Sequence, residues 1–186
     1  MQVKGTAFLA RRALIEKDVG AARVKTFLDR FLASHRGFPS PVLPTTLIPI
    51  ELFLELQDAI VAELYAGEEH SYWRFGRASG EWALTEGPYR RLREEKSLAE
   101  FVASGAVLYR NYFTEGQART TTDGQGTVDF LIEGIPPRFH HLYFEYSTAG
   151  YFERGLELVT GRPVRRTRIA GFSAGDDRIQ YRFRIG

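Results

Sequence analysis

Apolar residues recur at spacings of three and four through the first third of the chain, the period of a helix with one buried face. Phe8, Ala10 or Arg11, Leu14 and Ile15 form one such stripe, and Val24, Phe27, Leu28, Phe31 and Leu32 form another after a break at Gly20. The pattern predicts two helices, or one bent near Asp18 to Ala21, ending at Gly37. Four prolines between Phe38 and Pro49 then exclude a regular helix and predict an extended linker over the core. Pro49 suits the first turn of a helix that carries Leu52, Phe53, Leu56, Ile60, Val61 and Leu64 and stops at Gly67.

In "YWRFGRASGEWAL", Trp73, Gly76, Gly80 and Ala83 or Leu84 fall on helical spacing, so another element can approach the glycines closely. "SLAEFVASGAVLYRNYF" predicts a helix capped by Ser97 with Glu100 three residues on, and an inner face of Leu98, Phe101, Val102, Val107 or Leu108, and Tyr112. The period then changes. "QARTTT", "DGQG" and "TVDFLIEGI" read as strand, turn and strand. Pro136 and Pro137 open an aromatic helix whose stripe is Phe139, Leu142, Tyr143, Tyr146, Ala149 or Gly150, Phe152 and Leu156. A second hairpin closes the chain, with Ile179, Tyr181, Phe183 and Ile185 alternating against Gln180, Arg182 and Arg184. The fold class is α+β: N-terminal helices on an antiparallel sheet of about four strands, with a ββαββ C-terminal half. A single domain is expected over 1–186, helical over 1–113 and ββαββ over 114–186.

Composition removes several chemistries. With no cysteine, disulfides, thiolate nucleophiles, zinc ribbons and Cys-ligated clusters are excluded. No apolar run approaches the roughly 20 residues that span a bilayer, and the first residues lack the apolar core of a secretory signal, so a cytoplasmic protein with no membrane partner is expected. A net charge of +2 does not call for a nucleic-acid partner, and the C-terminal arginines read as the solvated face of a strand rather than a polyanion site.

His140 and His141 point about 100° apart on a helix and cannot chelate one metal together. His35 and His70 fall at predicted helix ends, G-x-S-x-G does not occur, and the paired acids such as Glu68 and Glu69 read as solvated turns. No catalytic residue, metal ligand or cofactor is expected, and no enzyme. What remains is aromatic: 14 Phe, nine Tyr and two Trp, gathered in clusters that suit a core, an interface or a largely apolar pocket alike.

Two segments carry a resemblance. "VKGTAFLARRALIEKDVGAARVKTFLDRFLASHRG" resembles the helical start of the haem-NO-binding domains. "GIPPRFHHLYFEYSTAGYFERGLELVTGRPVRRTRIAGFSAGDDRIQYRFRIG" resembles the closing helix and hairpin that those domains share with the 4-vinyl-reductase sensor domains. The whole chain is most similar to single-domain bacterial proteins, myxobacterial in type, of the same superfamily, with "TTLIPIELFLELQDAI", "RFGRASGEWAL" and "EGPYRRL" matching their proline-led and glycine-containing segments. The resemblance implies helices on an antiparallel sheet with a pocket between them. Members bind haem, sense aromatic compounds or, in vesicle-tethering subunits, act as dimeric scaffolds.

It also implies where haem would be held, and this chain departs from that pattern. The helix that carries the proximal histidine corresponds to "VLYRNYF", which has none, leaving Tyr109 or His140 as surrogates. The Tyr–Ser–Arg clamp would align near Glu145, Ser147 and Ala149, retaining only the serine. The expected function is a non-enzymatic regulatory domain that binds a small apolar or aromatic ligand without haem, through Trp73, Tyr109, Tyr112, Tyr143 and Tyr146. The alternative is a protein-interaction scaffold, homodimeric or heteromeric, whose pocket its own side chains fill.

Overall fold

A computed structural model describes residues 1–186. Two helices, α1 (Gly5–Val19) and α2 (Ala21–Ser34), meet at Gly20, whose φ of 89° turns the chain between them. The linker then runs to α3 (Ile50–Leu64), followed by α4 (His70–Thr85), a short α5 (Arg90–Glu94) and α6 (Leu98–Arg110). The N-cap of α6 is the expected one, with the Ser97 hydroxyl accepting from the Glu100 amide at 3.2 Å. Its buried face is Phe101, Val102, Gly105, Leu108 and Tyr109, whereas Val107 is 47% exposed.

The C-terminal half is ββαββ as expected: β3 (Gln117–Thr122), β4 (Thr127–Glu133), α7 (Leu142–Thr160), β5 (Val164–Ala170) and β6 (Ile179–Ile185). All strand pairs are antiparallel, in the order β3-β4-β6-β5. Val128, Phe130 and Ile132 of β4 are buried and lie opposite Phe183, Tyr181 and Ile179 of β6, so the period-two pattern sets one face against the helices. Asp129 and Arg182 pair on the other face at 2.8 Å. A cluster of 39 buried hydrophobic residues runs through both halves of the chain.

Three local features differ from the sequence expectations. Gln2–Lys4 and Leu47–Pro49 form a two-stranded antiparallel ribbon, β1 and β2, that ties the linker to the start of α1. Pro49 is therefore the residue before α3 and not its first turn. Pro137–Phe139 make a 3-10 turn, and α7 begins only at Leu142, because the His141 ring accepts from the Tyr143 amide at 3.0 Å and caps the helix.

The glycines of α4 have the role their spacing suggested. A Cβ on Gly76 would sit 2.0 Å from the Ser147 carbonyl oxygen, one on Gly80 2.7 Å from that of Tyr151, and one on Gly150 2.6 Å from that of Trp73. Backbones of α4 and α7 thus touch along a seam that only small residues permit.

Candidate functional site

Beside this seam lies a cavity of about 80 Å3, walled by α1, α4, α6, β4 and α7. Ala7, Ala10 and Arg11 come from α1, Gly76 and Ser79 from α4, and Leu108, Tyr109, Tyr112 and Phe113 from the end of α6. Phe130 of β4 and Tyr143, Ser147, Thr148, Tyr151 and Phe152 of α7 complete the wall with Gly105. Most of the lining is hydrophobic, and several polar groups in it are already engaged. The Tyr109 hydroxyl donates to the Glu115 carbonyl at 3.0 Å, and the Ser147 hydroxyl to that of Tyr72 at 3.0 Å. Burial pushes the Tyr109, Tyr112, Tyr143 and Tyr151 hydroxyls above their ordinary pKa, so all four are neutral phenols at physiological pH.

Two polar atoms of the lining, Arg11 Nη1 and the Tyr151 hydroxyl, are buried with no partner in full hydrogen-bond geometry, the Tyr143 hydroxyl interacting with the Arg11 side chain and the Tyr112 hydroxyl with that of Tyr151. Arg11 lies on the inner stripe of α1 with Phe8 and Ile15 and is 4% exposed. Its Nε donates to Gln57 Oε1 at 2.8 Å and its guanidinium lies 3.7 Å over the Phe75 ring. Desolvation lowers its pKa to about 10, partly offset by the facing hydroxyls of Tyr143, Tyr65 and Tyr72, so it stays charged at neutral pH. The signal for this residue was present in the sequence, where Arg11 stands three after Phe8 and four before Ile15.

Of the five aromatic residues singled out from the sequence, Tyr109, Tyr112 and Tyr143 line this cavity. Trp73 and Tyr146 do not; with His70, Arg166, Arg168 and Tyr181 they line a separate cleft that opens at the surface. The reason is helical phase. Trp73 and Tyr146 sit on the β5 side of the seam, where the Trp73 indole donates to Glu153 at 3.1 Å and Arg166 lies 4.0 Å over its ring.

That side of α7 holds two buried carboxylates that the sequence gave little reason to expect. Glu153 accepts from Trp73, from Arg77 at 2.6 Å and from Arg166 at 3.0 Å. Glu145 accepts from the Tyr181 hydroxyl at 2.7 Å and from the Ser173 amide and hydroxyl at 2.8 and 3.0 Å, with Arg168 at 3.8 Å. Glu145 and Ser147, where the resemblance would place the haem clamp, are thus engaged within the fold.

No helix of the chain is long and apolar enough to cross a membrane. No known protein-family profile matches the chain, and no curated protein matches its sequence. Among solved structures the fold is that of H-NOX domains. An H-NOX protein from S. oneidensis in the Fe(II)NO state superposes with a TM-score of 0.71 at 10% identity, over 98% of this chain and 99% of that one. An oxygen-binding H-NOX domain related to soluble guanylate cyclases gives 0.68 at 13%, over 98% and 94%, and an H-NOX protein from K. algicida 0.67 at 10%, over 98% and 96%.

The residues here do not fit the iron porphyrin that this fold implies. None of the four histidines lines the cavity, and no three His, Cys, Asp or Glu side chains gather into a metal-binding group. The His140 ring stacks on Phe172 and faces the Ile135 carbonyl at 3.0 Å, which removes it as a surrogate ligand. Tyr109 does face the cavity, but its hydroxyl is turned to the Glu115 carbonyl, to which it donates at 3.0 Å. Between α6 and the sheet, Phe101, Phe152 and Phe130 stack at 5.0 and 4.8 Å, and the room left is well below the roughly 300–1,000 Å3 of sites for larger ligands.

Proposed function

We propose that this protein is a non-enzymatic regulatory domain on the H-NOX fold that binds a small apolar ligand without haem, in the cavity beside the α4–α7 seam. The carrying observation is that cavity: mostly apolar, aromatic-walled, and bounded by elements from both halves of the chain. Its size favours a molecule of a few heavy atoms over an aromatic ring, since an apolar cavity of about 150 Å3 is what holds benzene. Tyr109, Tyr112 and Tyr143 act as walls. The cleft of Trp73 and Tyr146, walled also by Arg166 and Arg168, is open to the surface and cationic, and is not part of the apolar ligand site. A ligand that touches α1, α6 and α7 together pulls on both halves, which is how occupancy reaches a partner protein in the cytoplasm. We also propose kinship with the single-domain bacterial proteins, myxobacterial in type, rather than with the tethering scaffolds.

Native mass spectrometry with an absorption spectrum of the purified protein tests this. A co-purified small molecule and no Soret band are expected. A Soret band overturns the haem-free site, and a ligand-free dimer indifferent to small apolar molecules favours the scaffold reading.

A further inference from the structure

Arg11 is a buried cation without an anion. The titratable groups that face it are the hydroxyls of Tyr143, Tyr65 and Tyr72, with no carboxylate among them, and Gln57 is neutral. Burying an unpaired charge is costly, and proteins ordinarily match it, as this one does for Glu145 and Glu153. Arg11 instead has only phenol and amide neighbours on the wall of the apolar cavity, with Nη1 outside full hydrogen-bond geometry, and the Tyr151 hydroxyl beside it has only that of Tyr112.

We propose that the ligand of this cavity is a short monocarboxylate, its carboxylate held by the Arg11 guanidinium and its alkyl chain packed on Leu108, Phe113 and Phe152. The inference rests on the ligand-binding reading above and names the chemical class of ligand. Guanidinium and carboxylate match in geometry, and the charge-assisted hydrogen bonds are strengthened where water is excluded. A lining of which ten of 16 residues are hydrophobic suits one charged head on an apolar body, and would leave most oxygens of an inorganic phosphate unsatisfied. Against the about 150 Å3 that holds benzene, 80 Å3 with an open mouth beside it restricts the ligand to the shortest acids, of two or three carbons.

The test compares propionate with propionamide, its uncharged isostere, by calorimetry at constant ionic strength, with xenon as a charge-blind probe of the cavity. Propionate is expected to bind saturably and at least tenfold more tightly than propionamide, and Arg11→Met to abolish that preference while still admitting xenon. Propionamide binding as tightly as propionate, or chloride alone reproducing the signal, overturns the carboxylate inference and leaves the cavity reading standing. Failure of propionate, propionamide and xenon alike overturns both. The isostere comparison on the unmodified protein decides the matter even if Arg11→Met folds poorly.

Discussion

The two sides of α7 treat buried charge in opposite ways. Facing β5, Glu145 and Glu153 lose water but gain between them an indole, a phenol, a serine and three arginines. Across the cavity from α7, Arg11 of α1 has one glutamine, an aromatic ring and the Tyr143 hydroxyl, and Tyr151 has only the Tyr112 hydroxyl. One side of the helix therefore has its buried charges matched by the fold, and the other faces a buried α1 charge that has no counter-ion. Matched buried charges fix the docking of α4, α7, β5 and β6. Unmatched ones lower the stability of the empty protein and reserve binding energy for a ligand that completes them.

The sharpest way to break this contrast is to remove a matched charge. Glu145→Ala is expected to cost about 4 kcal/mol in denaturant unfolding, since it strands the Tyr181 hydroxyl and the Ser173 amide inside the sheet–helix junction. A loss below about 1 kcal/mol would show that side to be no better matched than the other. Gly76→Ala puts a methyl group on the Ser147 backbone and is expected to cost about 3 kcal/mol by prising apart the seam that both sides share.

The pH dependence draws on both sides, since Tyr181 beside Glu145 is raised like the cavity tyrosines. The cavity tyrosines have folded pKa values above the ordinary 10.0, so their contribution to stability is complete below pH 10 and is lost as pH rises through the folded values. Arg11, lowered to about 10, works the other way above that pH, but it is one group against several raised tyrosines. Glu157, which burial would raise but bonds from Arg77 and Arg154 hold below 4.5, contributes stability above pH 4.5 that is lost as pH falls through its folded value. Thermal unfolding should therefore drop by several degrees from pH 9.5 to 11.5, and Tyr151→Phe should soften that drop. An unchanged alkaline limb in a variant lacking two cavity tyrosines would contradict it.

The smallest effects are the most telling. Arg11→Met is expected to change stability by less than about 1 kcal/mol, because relief of a desolvated charge offsets the lost Gln57 and Phe75 contacts. Tyr151→Phe is expected to be neutral or to stabilise by up to about 1 kcal/mol, as it deletes a hydroxyl with no partner in full hydrogen-bond geometry. Substantial destabilisation in both would mean that the cavity side is structural.

Much of the fold was legible because its periods are local. The break at Gly20, the Ser97 cap, the glycine turn before β4 and the alternation in β6 each declare themselves within a few residues. The β1–β2 ribbon was not, since it joins residues 2–4 to 47–49, and pairing at that distance leaves no mark in a short window. The site was half legible. Tyr109, Tyr112 and Tyr143 could be chosen as aromatic residues on inward stripes, but spacing within one helix does not tell which of two neighbouring faces meets a cavity, and so Trp73 and Tyr146 were grouped with them. The buried carboxylates were hidden for the same reason, their partners lying on α4, β5 and β6. Arg11 stood in the apolar stripe from the outset as an alternative to Ala10, and nothing in the spacing marked it as a charge without a counter-ion.

The most direct measurement is the side-chain Nε–Hε resonance of Arg11 in a propionate titration followed by NMR. The account predicts a saturable shift of Arg11 together with the ring signals of Tyr143 and Tyr151, while Arg77 and Arg166, already held by Glu153, stay in place. An Arg11 resonance that does not move while the cavity binds an uncharged molecule, or one that moves only in step with the exposed arginines, would contradict it.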